Sequence, residues 1–340
     1  MQNSLFKIGL PIITVLLFFC THQLKAQDTH IKGFVEANTT YQDGKVNFGF
    51  GEQDLFITSQ ITDRLSFLGE TVFKFSLGSP TSFDVSVERI VLKYNYYGNH
   101  NILIGKHHTP INYWNDTYHH GRVLFPTIDR PLMFAANILP LHTVGLDFQG
   151  QNLGNLKFGY DLMIGNGIGS TEIIDNDKRK SISAAIHIKP IDELRIGASY
   201  YNDLITKGSR IHSGHILGWN VDQHLISGSV AYFGNKFELL TEGTFASNHS
   251  DTTGSKHTIA SYLYGGVKIK EKWVPYVRLD YIHYQDGEIF YQVPEDTKSI
   301  VVGLRHELSY LAVIKLEYQY ENRQFTGNTD RIIAQFAIGF

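Results

Sequence analysis

Between Leu311 and Arg323 apolar and polar side chains alternate. Ala312, Ile314, Leu316, Tyr318 and Tyr320 fall on one side; Lys315, Glu317, Gln319, Glu321 and Arg323 fall on the other. Successive side chains of a strand point to opposite faces, so this pattern predicts a strand with one lipid-compatible face and one charged face. In a soluble sandwich the charged face would meet solvent, and one such strand would decide nothing. The pattern recurs, however. It predicts strands near 29–41, 50–61, 63–76, 82–97, 101–108, 140–151, 153–166 and 180–190, then near 192–203, 222–233, 235–248, 257–270, 272–286, 296–309, 311–323 and 329–340.

The connections alternate in length. Short ones fall at 61–64, 97–100, 150–154, 190–193, 233–236, 271–272 and 309–310, with longer ones at 42–49, 77–81, 109–139, 167–179, 204–221, 249–256, 287–295 and 324–328. Tight periplasmic turns and longer outer loops are the habit of outer-membrane barrels, and a soluble all-β protein has no reason to sort its loops this way. The expected fold is therefore all-β, a transmembrane antiparallel up-and-down barrel of about sixteen strands with both ends on the periplasmic side. Backbone amides cannot stay unpaired in hydrocarbon, so the sheet must close and its last strand must pair with its first. In that last strand Ile332, Ala334, Phe336, Ile338 and Phe340 share a face.

Two stretches break the alternation. Thr109 to Pro140, TPINYWNDTYHHGRVLFPTIDRPLMFAANILP, shows no sustained period of two. Segments this long are uncommon inside a compact domain and are usually functional or disordered, and the aromatic and aliphatic content here argues against disorder. Residues 109–139 form the third longer connection and are expected to fold into the barrel mouth as a constriction loop. In Phe83 to Tyr94 the apolar set changes from odd to even positions between Glu88 and Arg89. A β-bulge would do this, as would an inward Val91 without a bulge.

Composition fits one large barrel. The chain has 340 residues, 13% of them aromatic, and a net charge of −3, with no basic run that would suggest a nucleic-acid partner. Its first residues read as an export signal spanning 1–26: Lys7, an apolar run from Ile8 to Cys20, and Leu24-Lys25-Ala26 before the expected cleavage. The run is too short to span a bilayer comfortably. Cys20, the only cysteine, lies inside it behind the bulky Phe19, which argues against a lipoprotein. The remainder, 27–340, is expected to be the barrel, with outer-membrane lipid around it.

Placing the apolar stripe outward turns Glu36, Glu70, Lys74, Glu88, Asp147, Asp161, Glu238, Glu242, Arg278, Arg305, Lys315 and Glu317, among others, inward. Ionisable groups at membrane depth must face protein or water, and a barrel this wide cannot be filled by wall side chains, so a wet lumen structured by ion pairs is expected.

Val87-Glu88-Arg89-Ile90-Val91-Leu92-Lys93-Tyr94, followed by Gly105-Lys106, Thr109-Pro110 and Asp129-Arg130-Pro131, resembles the porin family that includes the phosphate-selective porins O and P. The match covers about 82–145. The resemblance implies a sixteen-stranded outer-membrane channel, a possible homotrimer, with its third outer loop folded inward. It does not establish phosphate selectivity, because the loop contains no Lys. The terminal Phe340 likewise resembles the C-terminal signal recognised by the barrel assembly machinery.

The expected function is passive diffusion of small hydrophilic solutes and ions, anions such as phosphate among them, with no catalytic residues, metal or cofactor. Candidate constriction residues are Asp116, His119, His120, Arg122, Asp129 and Arg130 on the loop, faced by Lys74, Glu88 and Lys106 from the wall. Asp129 and Arg130 could equally pin the loop. Ionisation of His119 and His120 is expected to raise anion preference at mild acidity. Paired histidines, including His107 with His108 and the pair His212 and His215, invite a zinc reading, but neither a His-Glu-x-x-His nor a Cys cluster accompanies them. An outer-membrane lipase or protease is the rival class, yet no Ser-His-Asp grouping stands out. A specific-solute transporter is a further alternative; one with an N-terminal plug would need room before the first strand.

Overall fold

The computed structural model describes residues 28–76, 82–118, 121–168, 175, 178–211 and 216–340. The expected signal segment, His119, His120, His212 and His215 lie outside the described residues. The strands are β1 (Asp28–Gln42), β2 (Lys45–Gln60), β3 (Leu65–Phe75), β4 (Phe83–Tyr97), β5 (His100–His108), β6 (His142–Leu153), β7 (Phe158–Gly165) and β8 (Ser181–Ile191). There follow β9 (Leu194–Ile205), β10 (Val221–Phe233), β11 (Phe237–Ser250), β12 (Gly254–Val267), β13 (Trp273–Tyr284), β14 (Thr297–Ser309), β15 (Ala312–Arg323) and β16 (Gly327–Gly339). Each pairs with its neighbours in sequence, and β16 closes the barrel on β1, running from Phe34 opposite Gly339 to Tyr41 opposite Ile332. All sixteen expected strands are present.

Alternation sets which side chains enter the barrel. On β15 Ile314, Leu316 and Tyr318 are exposed outward while Lys315, Glu317 and Gln319 are buried inside, and β16 exposes Ile332 and Phe336 while burying Ile333, Gln335 and Ala337. Aromatic rings divide: Tyr94, Tyr97 and Tyr318 face out, whereas Tyr262, Tyr264, Tyr276 and Tyr284 point in.

The expected sorting of loop lengths holds only in part. At the end where β1 begins and β16 finishes, all turns are short. At the opposite end three connections expected to be longer are equally tight: 43–44, 251–253 and 324–326. Asp43 and Gly44 both have positive φ, 52° and 74°, the geometry of a two-residue hairpin that continues the twist of its strands.

At the irregular stretch of β4, Glu70 pairs with Arg89 and Thr71 with Val87, so Glu88 is the extra residue of a bulge. Val91 is also inward and 6% exposed, because the bulge moves the odd positions to the inner face. The bulge frees the Val87 carbonyl, which accepts a hydrogen bond from Lys106 Nζ at 2.8 Å. Lys106 pairs with the exposed Ile90 and shares its outward face, which corrects its expected place in the constriction. Beside it, Gly105 has φ 134°, and a Cβ there would lie 1.9 Å from the Ile90 carbonyl oxygen. Gly105→Ala should therefore destabilise the barrel by at least about 1–3 kcal/mol, read as a lower temperature of the heat-induced shift in gel mobility.

The apolar core lies inside the barrel. Loop residues Ile111, Trp114, Phe125, Met133 and Phe134 pack against inward side chains of β9 to β14, among them Tyr201, Leu225, Leu240 and Tyr262. Room for the loop comes from small residues that register places side by side on the inner wall: Ala185, Ser199, Ser227, Thr244 and Ala260 on β8 to β12. The wet lumen expected from the strands alone is thus found only in part; on this side it is packed like a protein interior.

Candidate functional site

The loop from 109 to 141 crosses the lumen and is fastened to walls on opposite sides. At its root Asn115 Nδ2 donates to the carbonyls of Thr109 (2.9 Å) and Leu141 (3.0 Å), tying the two ends together. Asn112, with φ 63°, turns the chain inward. Its N–H donates to Ser199 Oγ and its side-chain amide to Thr244 Oγ1, both at 3.3 Å.

Two one-turn helices follow, α1 (Tyr113–Thr117) and α2 (Leu132–Ala135), and neither has a capping side chain of its own. The wall provides one in each case. Glu242 on β11 accepts the backbone N–H groups of Tyr113 and Trp114 and the Tyr262 hydroxyl. Asp280 on β13 accepts the N–H of Leu132 at 3.0 Å. The first amides of a helix have no internal partner, so these carboxylates satisfy groups that would otherwise be buried unpaired.

The middle of the loop rests on charged residues of β13 to β15. Ile128 N–H donates to Glu317 at 2.6 Å, which also accepts from the Tyr276 hydroxyl at 2.6 Å. Lys315, fully buried, donates to the carbonyls of Arg122 (2.6 Å) and Thr127 (3.1 Å). Arg278 donates to Thr127 Oγ1 and the Asp129 carbonyl, both at 2.6 Å, and Arg305 donates to the Pro126 carbonyl at 3.2 Å. On the other side, Gly121 N–H donates to Asp54 of β2 at 3.1 Å.

The expected constriction residues are therefore divided. Arg122 lies 3.6 Å from both Glu36 of β1 and Glu52 of β2 and sits over the Phe125 ring. Burial works against its charge, but Glu52 and Glu36 more than offset this and hold the guanidinium above its ordinary pKa. Arg130 is half-buried; desolvation and then the like charge of Arg122 bring it down to about 10, with Glu52, Glu88 and Asp54 opposing the drop. Glu88 also lies 3.1 Å from His142 Nε2, and Lys74, 66% exposed, reaches Glu52 at 3.7 Å. These residues share one side of the loop, where loop cations face wall carboxylates.

Asp129 and Asp116 are elsewhere. Asp129 accepts from Arg331 of β16 (2.9 Å) and Gln319 of β15 (3.1 Å), so it pins the loop. Asp116 pairs with Arg195 of β9 at 2.8 Å. The opposite charges that face each other at the narrowing are thus loop Arg and wall Glu, and not loop Arg and loop Asp. Because the Asp129–Arg331 pair is partly exposed, Asp129→Asn should cost no more than about 1 kcal/mol and leave ion selectivity nearly unchanged, checked by reversal potentials in a salt gradient.

Sequence reasoning turned Glu242, Arg278, Arg305, Lys315 and Glu317 inward but did not identify them as anchors. What opposes the loop is open space: a cavity of about 440 Å³ along β1 to β7, lined by Arg89, Lys93, His107, Asp116, Asp147 and Asp161 among others. Among the described residues no group of His, Cys, Asp and Glu could hold a metal ion.

No protein family and no curated protein matches the chain. Solved structures do. An anion-selective porin from Comamonas acidovorans aligns with a TM-score of 0.67 at 11% identity, covering 92% of this chain and 100% of that one. A loop L8 deletion mutant of OmpT, an outer membrane protein of Vibrio cholerae, aligns with a TM-score of 0.65 at 14% identity, covering 93% and 100%. The outer membrane channel DcaP of Acinetobacter baumannii aligns with a TM-score of 0.63 at 11% identity, covering 94% and 99%. The chain therefore has the closed sixteen-stranded fold of outer-membrane porins.

Proposed function

We propose that this protein is an outer-membrane porin: a passive diffusion channel for small hydrophilic solutes and ions, narrowed by residues 109–139. The observation that carries the reading is the loop itself, fastened across the lumen by wall charges yet leaving a polar-lined space along β1 to β7. The outward apolar face of the strands and the likeness to outer-membrane porins support the location. In this reading residues 1–26 are removed on export, Phe340 engages the barrel assembly machinery, and the chain assembles as a homotrimer; one OmpT structure it resembles is in a trimer form. Arg122, Arg130, Glu36, Glu52, Glu88 and Lys74 form the selective rim, with His119 and His120 as its pH-sensitive part. The protein acts without catalysis.

The phosphate preference implied by the porin O and P resemblance has weak support. Lys106 faces outward, and Arg122 is already matched by two carboxylates. Purified protein in a planar bilayer should give discrete single-channel steps, and neutral sugars should enter proteoliposomes at rates that fall with size. Absence of both, with hydrolysis of lipid or peptide instead, would replace the channel with an enzyme.

A further inference from the structure

Below the loop, on the side where the short turns lie, three carboxylates line the same cavity. Asp147 on β6 and Asp161 on β7 are diagonal neighbours on the inner wall, since Asp147 pairs with Met163 and Gln149 with Asp161. Asp116 faces them from the loop and lines the same cavity. One nearby guanidinium, Arg195, is bound to Asp116, while Asp161 accepts the neutral Gln149 amide at 2.8 Å and lies within hydrogen-bond reach of the Asp147 carboxyl. Across the cavity Arg89 is paired with Glu70, while Lys93 lines it two strands from Asp147. The cavity wall is therefore short of positive charge.

Two buried atoms say more about what is missing. Asp147 is 2% exposed, and its Oδ1 has no hydrogen-bond partner among the described residues. His107, 6% exposed, lines the same cavity, and its Nε2 also lacks one. His107 Nδ1 lies 3.1 Å from the His108 carbonyl, which can only accept. In the uncharged ring Nδ1 therefore carries the proton, and Nε2 presents a lone pair. Both orphans are acceptors. Buried acceptors without donors are costly, and the group that relieves them must donate.

We propose that this cavity is a solute subsite for a primary ammonium group, seated at Asp147 and Asp161 with His107 Nε2 as a further acceptor and Asp116 adding negative charge to the same cavity. A primary ammonium offers three donors and a positive charge, which matches both the orphaned acceptors and the charge deficit. The cavity volume of about 440 Å³ suits a small amine or diamine. The proposal rests on the channel reading and names the solute class that the channel holds as it passes.

The test uses 1,4-diaminobutane as probe and 1,4-butanediol as its uncharged counterpart. On full-length wild-type protein, diaminobutane should bind by calorimetry in detergent and should reduce single-channel current in potassium chloride, whereas butanediol should do neither. Loss of a charge-assisted hydrogen bond predicts binding weaker by about tenfold or more in D147N and in D161N, both near-isosteric. H107F, which removes the acceptor without touching a carboxylate, should weaken it by a smaller factor, and E271Q in a distant turn should match the wild type. Equal affinity in wild type, D147N and D161N would overturn the subsite, as would butanediol binding as well as the diamine. A protein that binds diaminobutane and loses it in D147N but passes no current would retain the subsite and overturn the channel.

Discussion

Replacing residues 115–128 by a short glycine linker should raise single-channel conductance by about twofold or more, since the aqueous section of so wide a barrel is set by what fills it. The segment carries Phe125 of the luminal core and the two carbonyls that Lys315 holds. Removing it takes away the Asn115 tie at the root but leaves Trp114 beside Glu242, so that anchor survives while the centre opens. Deleting Arg122 leaves Glu36 and Glu52 of the rim without their loop cation, so selectivity should also shift toward cations as conductance rises. Arg305 keeps Glu238 and Glu307, at 2.7 and 2.9 Å, and Lys315 exchanges two carbonyls for water; neither becomes an unpaired buried ion. The barrel should therefore still fold, as judged by its heat-modifiable mobility. A folded variant with wild-type conductance would put the loop outside the permeation path.

The strands were legible because their signal is local. Side chains alternate with a period of two whatever the rest of the chain does, so Ile314 and Lys315 declare their faces from the segment alone. The first hairpin was less legible, and for a packing reason. Gly49 and Gly51 look like loop residues, but a Cβ at Gly51 would lie 2.1 Å from the Glu36 side chain, so the glycine is there to let Glu36 lie across it. The tight Asp43-Gly44 turn was hidden behind that.

The site was legible as a segment and not as a set of contacts. Loss of periodicity between Thr109 and Pro140 located the loop, yet the groups that fix it are 129 residues away for Tyr113 and Glu242 and 189 for Ile128 and Glu317. Strand alternation can say that Glu317 points inward; it cannot say what it meets. Asp129-Arg130 shows the same limit. Adjacent in sequence and opposite in charge, the two look like one functional unit, but the chain turns between them and sends Asp129 to Arg331 and Arg130 toward Glu52 and Glu88.

Glu242→Ala should release the first half of the loop. The carboxylate is buried and accepts from two backbone amides and the Tyr262 hydroxyl, and alanine leaves all three donors without it. Each buried donor left unpaired costs roughly 1–3 kcal/mol, so the loss should reach about 3–5 kcal/mol even if water enters to relieve part of it. Glu242 lies on β11 in a ladder paired on both sides, so that loss falls on loop docking and not on barrel closure. Trp114, fully buried against Tyr262 and Phe125, should then leave its seat. In recordings the variant should show larger and noisier open-channel current, and in solution its indole fluorescence should shift to the red while strand content stays constant. Glu242→Gln keeps one acceptor oxygen and should fall between wild type and alanine. Quiet wild-type current from Glu242→Ala would mean that Asn112, Asn115 and the aromatic packing hold α1 without the carboxylate.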